Sequence, residues 1–226
     1  MRPPSVIPTD QVEGLVAAVE AAQTADDLTD AVEALAAAAH PDAVPCLIEV
    51  LGFNNPGAAV AAVDGLVAIG EPAVAAILRN LDDYNYGARA WGVRALAGIG
   101  DLRGLQTLER ALAQDIGPSV RRAAARGMGQ LDPVGLGTGE RQALAGRVLP
   151  QLEAARADGE WIVRFAVAVG LEGMARWWRP DPSQRQRLLT ALAALADSER
   201  ETVPVVRLRA VLAQARLRGE APWPSP

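Results

Sequence analysis

The chain is 226 residues long, half of them apolar and 4% aromatic, with a formal net charge of -5. Ala, Leu, Val and Gly dominate, a palette that excludes disorder and suits helices packed closely on one another. An acidic chain with no long basic run is a poor nucleic-acid binder. With no apolar run of about 18 residues and no apolar signal region in the opening MRPPSVIPTD, neither membrane spanning nor secretion is expected, and the location read is cytoplasmic.

In chain order, a capping helix is expected over residues 11–22, followed by helix pairs. The first helices of the pairs are read at 30–39, 58–68, 86–99, 120–129, 162–176 and 205–217, and their partners at 43–51, 73–81, 102–113, 141–155 and 183–196. What sets this division is internal repetition. VDGLVAIGEPAV at 63–74 recurs thirty positions on as VRALAGIGDLRG at 93–104, and ARGMGQLD at 125–132 echoes it again. A period of about 30 residues signals stacked supersecondary units that bury their apolar faces only against neighbours. Glu71-Pro72, Asp101 and Asp132 mark the breaks within units, with Glu71 read on the N-cap side and Pro72 at the first helical position. Residues 131–141 read as a Gly-rich insertion and 219–226 as a poorly ordered Pro-rich tail, which leaves 1–218 as a single domain.

The units resemble HEAT repeats on stated residues. SVRRAAARGMG at 119–129, IVRFAVAVGL at 162–171 and VVRLRAVLAQA at 205–215 share Val-Arg followed by small and apolar residues, with Ala88-Arg89 in the same place of GARAWGVRALAGIG. Tetratricopeptide arrays would show a 34-residue period with Trp, Tyr and Pro signatures that are missing. The fold class expected is all-α, a right-handed α-solenoid of about five HEAT-like helix pairs.

Cys46 and His40 are each the only residue of their kind, so no intrachain disulfide, Cys cluster or His zinc site is expected. Cys46 reads as a small buried hydrophobe and His40 as a helix-end residue. Every basic residue is Arg, with no Lys, which fits a GC-rich genome and also suits bidentate carboxylate binding. On the helix at 86–99, Ala88, Trp91, Gly92, Ala95, Leu96 and Ile99 form the buried stripe, with Tyr86 almost opposite and Asn85 as N-cap. Tyr84 and Tyr86, the only tyrosines, read equally as a surface for a flat anionic ligand or as rim packing. Arg89 and Arg121, with Asp101 and Asp132, fit a structural ladder better than a ligand site, while Arg89, Arg121 or Arg122 reaching a ligand carboxylate is the alternative. Neither a catalytic triad nor a phosphate loop is present.

The block DDYNYGARAWGVRALAGIGD at 82–101, followed by SVRRAAARGMG, resembles the phycobilin lyases of cyanobacteria. It is most similar to the F-type subunits of heterodimeric E/F-type lyases, which attach phycocyanobilin to a cysteine of the phycocyanin α subunit. The resemblance implies bilin-binding residues at Asp83, Tyr84, Asn85, Tyr86, Arg89 and Arg121, with Asp82 or Asp83 able to hold protonated pyrrole nitrogens. It implies no prosthetic group: a phycobilin, phycocyanobilin or phycoerythrobilin, is bound as substrate. The implied partners are an E-type lyase subunit and a phycobiliprotein α subunit, whose own thiolate adds to the ring A ethylidene while the lyase positions and protonates the bilin. Lyase-isomerases of the family carry His and Cys where this chain has Tyr84 to Gly87, so ligation without isomerisation is implied. The alternative is a non-catalytic HEAT scaffold or phycobilisome turnover factor. The Trp177-Trp178 pair and the stretch around Gly135 match no family motif.

Overall fold

The computed structural model describes residues 8–81 and 85–223. Within these, every regular element is helical. The chain divides into two compact units, Met1–Ile99 and Gly100–Pro226.

The first unit holds α1 (Thr9–Ala21), α2 (Ala25–Ala37), α3 (Val44–Val50), α4 (Pro56–Ile69), α5 (Glu71–Arg79) and α6 (Tyr86–Ile99). Helices α2, α4 and α6 pack in one row, and α3 and α5 form a second row against it. Each start has a local cause. Thr24 accepts the Asp27 amide at 3.1 Å to cap α2. Asn55 accepts the Ala58 amide at 3.1 Å to cap α4, with Pro56 pre-set for the first turn. Between α4 and α5 the chain turns on Gly70 alone, at φ 74°. Glu71 therefore lies inside the first turn of α5 and Pro72 follows it, one place later than the sequence suggested: only glycine takes that left-handed turn cheaply, so Gly70 holds the N-cap.

The second unit holds α7 (Leu105–Gln114), α8 (Pro118–Met128), α9 (Thr138–Ala155), α10 (Trp161–Trp178), α11 (Pro182–Ala196) and α12 (Pro204–Arg218). Helices α8, α10 and α12 form the first row, with α7, α9 and α11 packed on it. A capping box starts α11: Asp181 accepts the Ser183 and Gln184 amides, and Gln184 returns an acceptor to the Asp181 amide at 2.9 Å. Residues 138–140, expected in the Gly-rich insertion, are helical, because the Glu140 carboxylate accepts the Gly137 amide at 2.8 Å and suits the positive end of α9. The tail is tied down as far as Trp223. Glu220 donates its amide to the Ala215 carbonyl at 2.8 Å, Arg216 Nε donates to the Pro222 carbonyl at 2.9 Å, and the Arg176 guanidinium lies 5.1 Å from the Trp223 ring centroid.

Both cores are built from small residues. Ala58, Ala59 and Ala62 on α4 and Ala124 and Ala125 on α8 are fully buried, and the helices approach until backbones touch. Leu35, Leu47, Leu66, Leu149, Leu152 and Leu171 fill the space between rows, each contributing about 1.5–3 kcal/mol of burial. Trp177 and Trp178 belong to this scaffold. Trp177 Nε1 donates to the Met128 carbonyl at 3.3 Å and Trp178 Nε1 to Gln142 Oε1 at 2.8 Å, fastening α10 to the end of α8 and to α9. None of the described helices is long and apolar enough to cross a membrane.

Candidate functional site

Among the sequence candidates, Asp83 and Tyr84, with Asp82, lie outside the described residues. Asn85 is the N-cap of α6, its Oδ1 accepting the Ala88 amide at 3.0 Å while its carbonyl accepts that of Arg89 at 3.0 Å. Tyr86 opens the helix and is 43% exposed. One turn on, the Arg89 guanidinium stands 5.6 Å from its ring centroid, a cation–π pair at i, i+3 spacing. Gly87 between them is exposed and has no side chain to cover the ring. The start of α6 thus offers an aromatic face and a guanidinium side by side, held by a capped helix end. The cavity behind it, lined by Leu51, Ile77, Leu81, Ala88 and Gly92, measures about 10 Å³. That is about one water, so a large ligand here lies on the surface.

Trp91 is half-buried, not core as its place on the helical wheel suggested. Val93 and Ala97 are buried in its stead, because α6 packs on α4 and α5 together and its covered arc is turned accordingly. One face of the Trp91 ring carries the Arg94 guanidinium at 5.3 Å.

Arg121 has its guanidinium committed to the scaffold. Its Nε and Nη2 donate to the two Asp158 oxygens at 2.7 and 3.0 Å, and Nη1 donates to the carbonyls of Asp115 and Ile116 at 2.9 and 3.1 Å. Arg164 repeats the arrangement one unit on: Nε and Nη2 reach Glu201 at 2.6 and 2.9 Å, and Nη1 reaches the Asp158 and Gly159 carbonyls at 2.8 and 3.1 Å. Arg207 continues it by donating to the Glu201 carbonyl at 2.7 Å. The second unit therefore contains the ladder expected of these arginines, but on other carboxylates. Asp101 and Asp132 stand at the far ends of the first helices, where Asp101 pairs with Arg103 at 2.7 Å and Asp132 accepts the Val134 amide at 3.2 Å. The rung acids are Asp158 and Glu201, which sequence reasoning missed. A signal for them exists: an acid stands six positions before each arginine in Asp115/Arg121, Asp158/Arg164 and Glu201/Arg207, and Asp83/Arg89 has the same spacing. Arg122 is exposed.

These rungs make the second unit acid-sensitive. Hydrogen bonds from Arg164 hold the Glu201 carboxyl below the usual range, against the opposing effect of its burial. For Asp158, burial pushes upward and is outweighed by the hydrogen bonds from Arg121 and the Glu160 amide. Both carboxyls bind their proton less tightly folded than unfolded, so their stabilisation is complete above the unfolded values near 4 and is lost as pH falls through the folded values. We expect the thermal midpoint to fall on acidification below about pH 4, and Glu201→Gln to flatten that fall while lowering the midpoint at pH 7; a calorimetric pH series checks both.

Cys46 is half-buried, with its thiol raised by burial and then by Glu49 and Glu20, the reverse of an activated nucleophile. His40 caps the short turn Pro41–Ala43, its Nδ1 accepting the Asp42 amide at 3.2 Å. No group of three or more His, Cys, Asp or Glu among the described residues is placed to hold a metal.

A profile described as HEAT repeats matches residues 12–91 and 80–172. The phycobilisome maturation protein of Synechococcus elongatus is 48% identical over 205 residues, covering 90% of this chain and 96% of that one. The phycocyanin α phycocyanobilin lyase CpcF of Synechocystis sp. is 46% identical over 195 residues, covering 86% and 90%. Among solved structures, a chain from the complex of CpcE and CpcF of phycocyanin lyase from Nostoc sp. superposes with a TM-score of 0.69 at 42% identity, covering 77% of this chain and 99% of that chain. With repeats that match in sequence and pack as paired helices, and likeness to these relatives over most of its length, the chain belongs to the HEAT-repeat family of CpcF-type phycocyanobilin lyase subunits.

Proposed function

We propose that this protein is the F-type subunit of a heterodimeric phycobilin lyase, working in the cytoplasm with an E-type partner to attach a bilin to a cysteine of a phycobiliprotein α subunit, that of phycocyanin. The observation that carries the reading is the likeness, over 86% of this chain and 90% of the relative, to a phycocyanin α phycocyanobilin lyase. In this reading the bilin is substrate and no prosthetic group takes part. The acceptor's thiolate adds through sulfur to the ring A ethylidene carbon, forming the thioether, while the displaced electron pair moves into the conjugated system and is quenched by a proton. This chain contributes position and electrostatics, consistent with a Cys46 thiol that is raised and not activated.

The bilin-facing set comprises Asp83, Tyr84, Asn85, Tyr86 and Arg89. Tyr86 lays its ring along the conjugated system, Arg89 flanks that face with its guanidinium, and Asp83 takes protonated pyrrole nitrogens. Arg121, engaged with Asp158, keeps the repeat frame in place and enters the site only indirectly. With Tyr, Asn, Tyr and Gly at 84–87, the chain has no thiol or imidazole there to move a double bond, so the bilin is ligated without isomerisation, and the likeness to a phycocyanobilin lyase favours phycocyanobilin as the one attached.

Coexpression with an E-type subunit, a bilin source and an apo-phycocyanin α subunit tests the reading, and absence of acid-stable colour on the α subunit overturns it. In the same assay Tyr86→Ala and Arg89→Ala are each expected to slow transfer about tenfold or more, with helicity unchanged by circular dichroism, since misplaced substrate forfeits positioning. If both variants transfer at the parent rate, the start of α6 is rim packing.

A further inference from the structure

The second unit contains a cavity of about 450 Å³ where the C-terminal ends of α10 and α12 meet the start of α11. Its size falls in the range of sites for drug-sized ligands. Arg179, Arg185, Arg216 and Arg218 line it, Trp223 forms one wall, and no lining residue is acidic. Arg176 stands over the Trp223 ring at 5.1 Å, so the indole is fixed beside the cations.

Helix polarity explains part of this cluster. Arg176, Arg216 and Arg218 fall in the last turns of α10 and α12, where cations are favoured. Arg179, the C-cap of α10, is likewise favoured on charge although glycine is the usual choice at its φ of 55°, whereas polarity does not explain Arg185 in the first turns of α11, where a cation is disfavoured. Arg216 is committed, its Nη1 on Glu172 at 2.9 Å and its Nε on the Pro222 carbonyl. The guanidinium groups of Arg179, Arg185 and Arg218 make no hydrogen bond or ion pair among the described residues. All three are exposed, so water screens their mutual repulsion, and an anion placed among them is attracted by three cations at once.

We propose that this cavity is a second bilin site, separate from the start of α6 and built for a flat dicarboxylate: the two propionates of a bilin held here meet Arg179, Arg185 and Arg218 while its conjugated rings lie against Trp223. Guanidinium forks take carboxylates in bidentate fashion, and an aromatic wall suits a planar body. The identity of the ligand rests on the lyase reading above. The site itself rests on the cavity and its charge.

The test titrates phycocyanobilin, and separately its dimethyl ester, into the purified chain with its E-type partner, followed by visible absorbance. The free acid is expected to bind the parent at least about tenfold more tightly than the ester, since charged hydrogen bonds are lost on esterification. The variant carrying Arg179→Gln, Arg185→Gln and Arg218→Gln is expected to bind acid and ester alike. Arg216 is left in place because Glu172 needs it. Equal binding of acid and ester by the parent overturns the proposal without reference to any variant, as does parent-like discrimination in the triple variant. Should covalent transfer to the α subunit proceed while either result is seen, the carboxylate site fails and the lyase reading stands. Should the parent pair neither bind bilin nor transfer it, both fall.

Discussion

Replacing Glu172 by alanine is expected to destabilise the second unit by about 3–5 kcal/mol, the cost of leaving buried charge without its partner. Glu172 is 4% exposed on α10, and its two oxygens accept from Arg209 Nη1 at 2.6 Å and Arg216 Nη1 at 2.9 Å. Those guanidiniums are themselves mostly covered, at 13% and 17% exposure, and both come from α12. Truncation strips them of their counter-charge in a place where water reaches them poorly, and α12 loses two of its links to α10. Urea unfolding followed by circular dichroism gives the value. Replacing Glu172 together with both arginines by apolar residues should recover much of the loss, because the penalty comes from unpaired charge and not from absence of the cluster. A single Glu172→Ala variant as stable as the parent overturns the assignment.

The second large effect is expected at Gly170. In most helices Gly→Ala stabilises, by up to about 1 kcal/mol. Here a Cβ would run into the Ala125 carbonyl oxygen on α8, with Leu152 Cδ2 also at 3.2 Å, and Gly129 and Gly173 complete the crossing: a Cβ on Gly129 would stand 2.5 Å from the Gly170 carbonyl oxygen. The obstacle is backbone, which has no rotamer to change, so α8 and α10 must separate. We expect Gly170→Ala to cost about 3 kcal/mol, at the upper end for overpacking. Gly146→Ala on the exposed side of α9, where nothing lies within 4 Å, should instead gain about 0.5–1 kcal/mol. If the two substitutions behave alike, backbone contact is not what holds this crossing.

Much of the architecture was legible because local chemistry sets it. Pro at the first turn, Asn or Thr at the cap and apolar residues at helical spacing place α4, α6, α8 and α12 within about two residues of where the sequence puts them. Errors came where two signals competed. Residues 138–140 contain glycine and read as loop, yet Glu140 satisfies the helix start. Trp91 falls on the right stripe for a helix packed on one neighbour, but α6 packs on two. Arg121 was rightly suspected of forming a ladder, while its partner could not be named: Asp158 is 37 residues away, and only the stacking of α8 beside α10 brings it within 2.7 Å.

The sequence by itself determined the all-helical repeat and the capped start of α6, because period, turn residues and N-cap chemistry act over a few neighbouring positions. Tertiary structure alone decided which charges are spent and which remain available. Arg209 and Arg216 are chemically the same residue as Arg179, Arg185 and Arg218, and the acid six positions before Arg121 and Arg164 has no counterpart that would single out Arg209 or Arg216. Arg121, Arg164, Arg209 and Arg216 meet carboxylates delivered by distant segments, and Arg179, Arg185 and Arg218 line a cavity with no acidic residue. That difference arises because hydrogen-bonded pairing depends on atoms within about 3 Å of each other in space, whatever their separation along the chain.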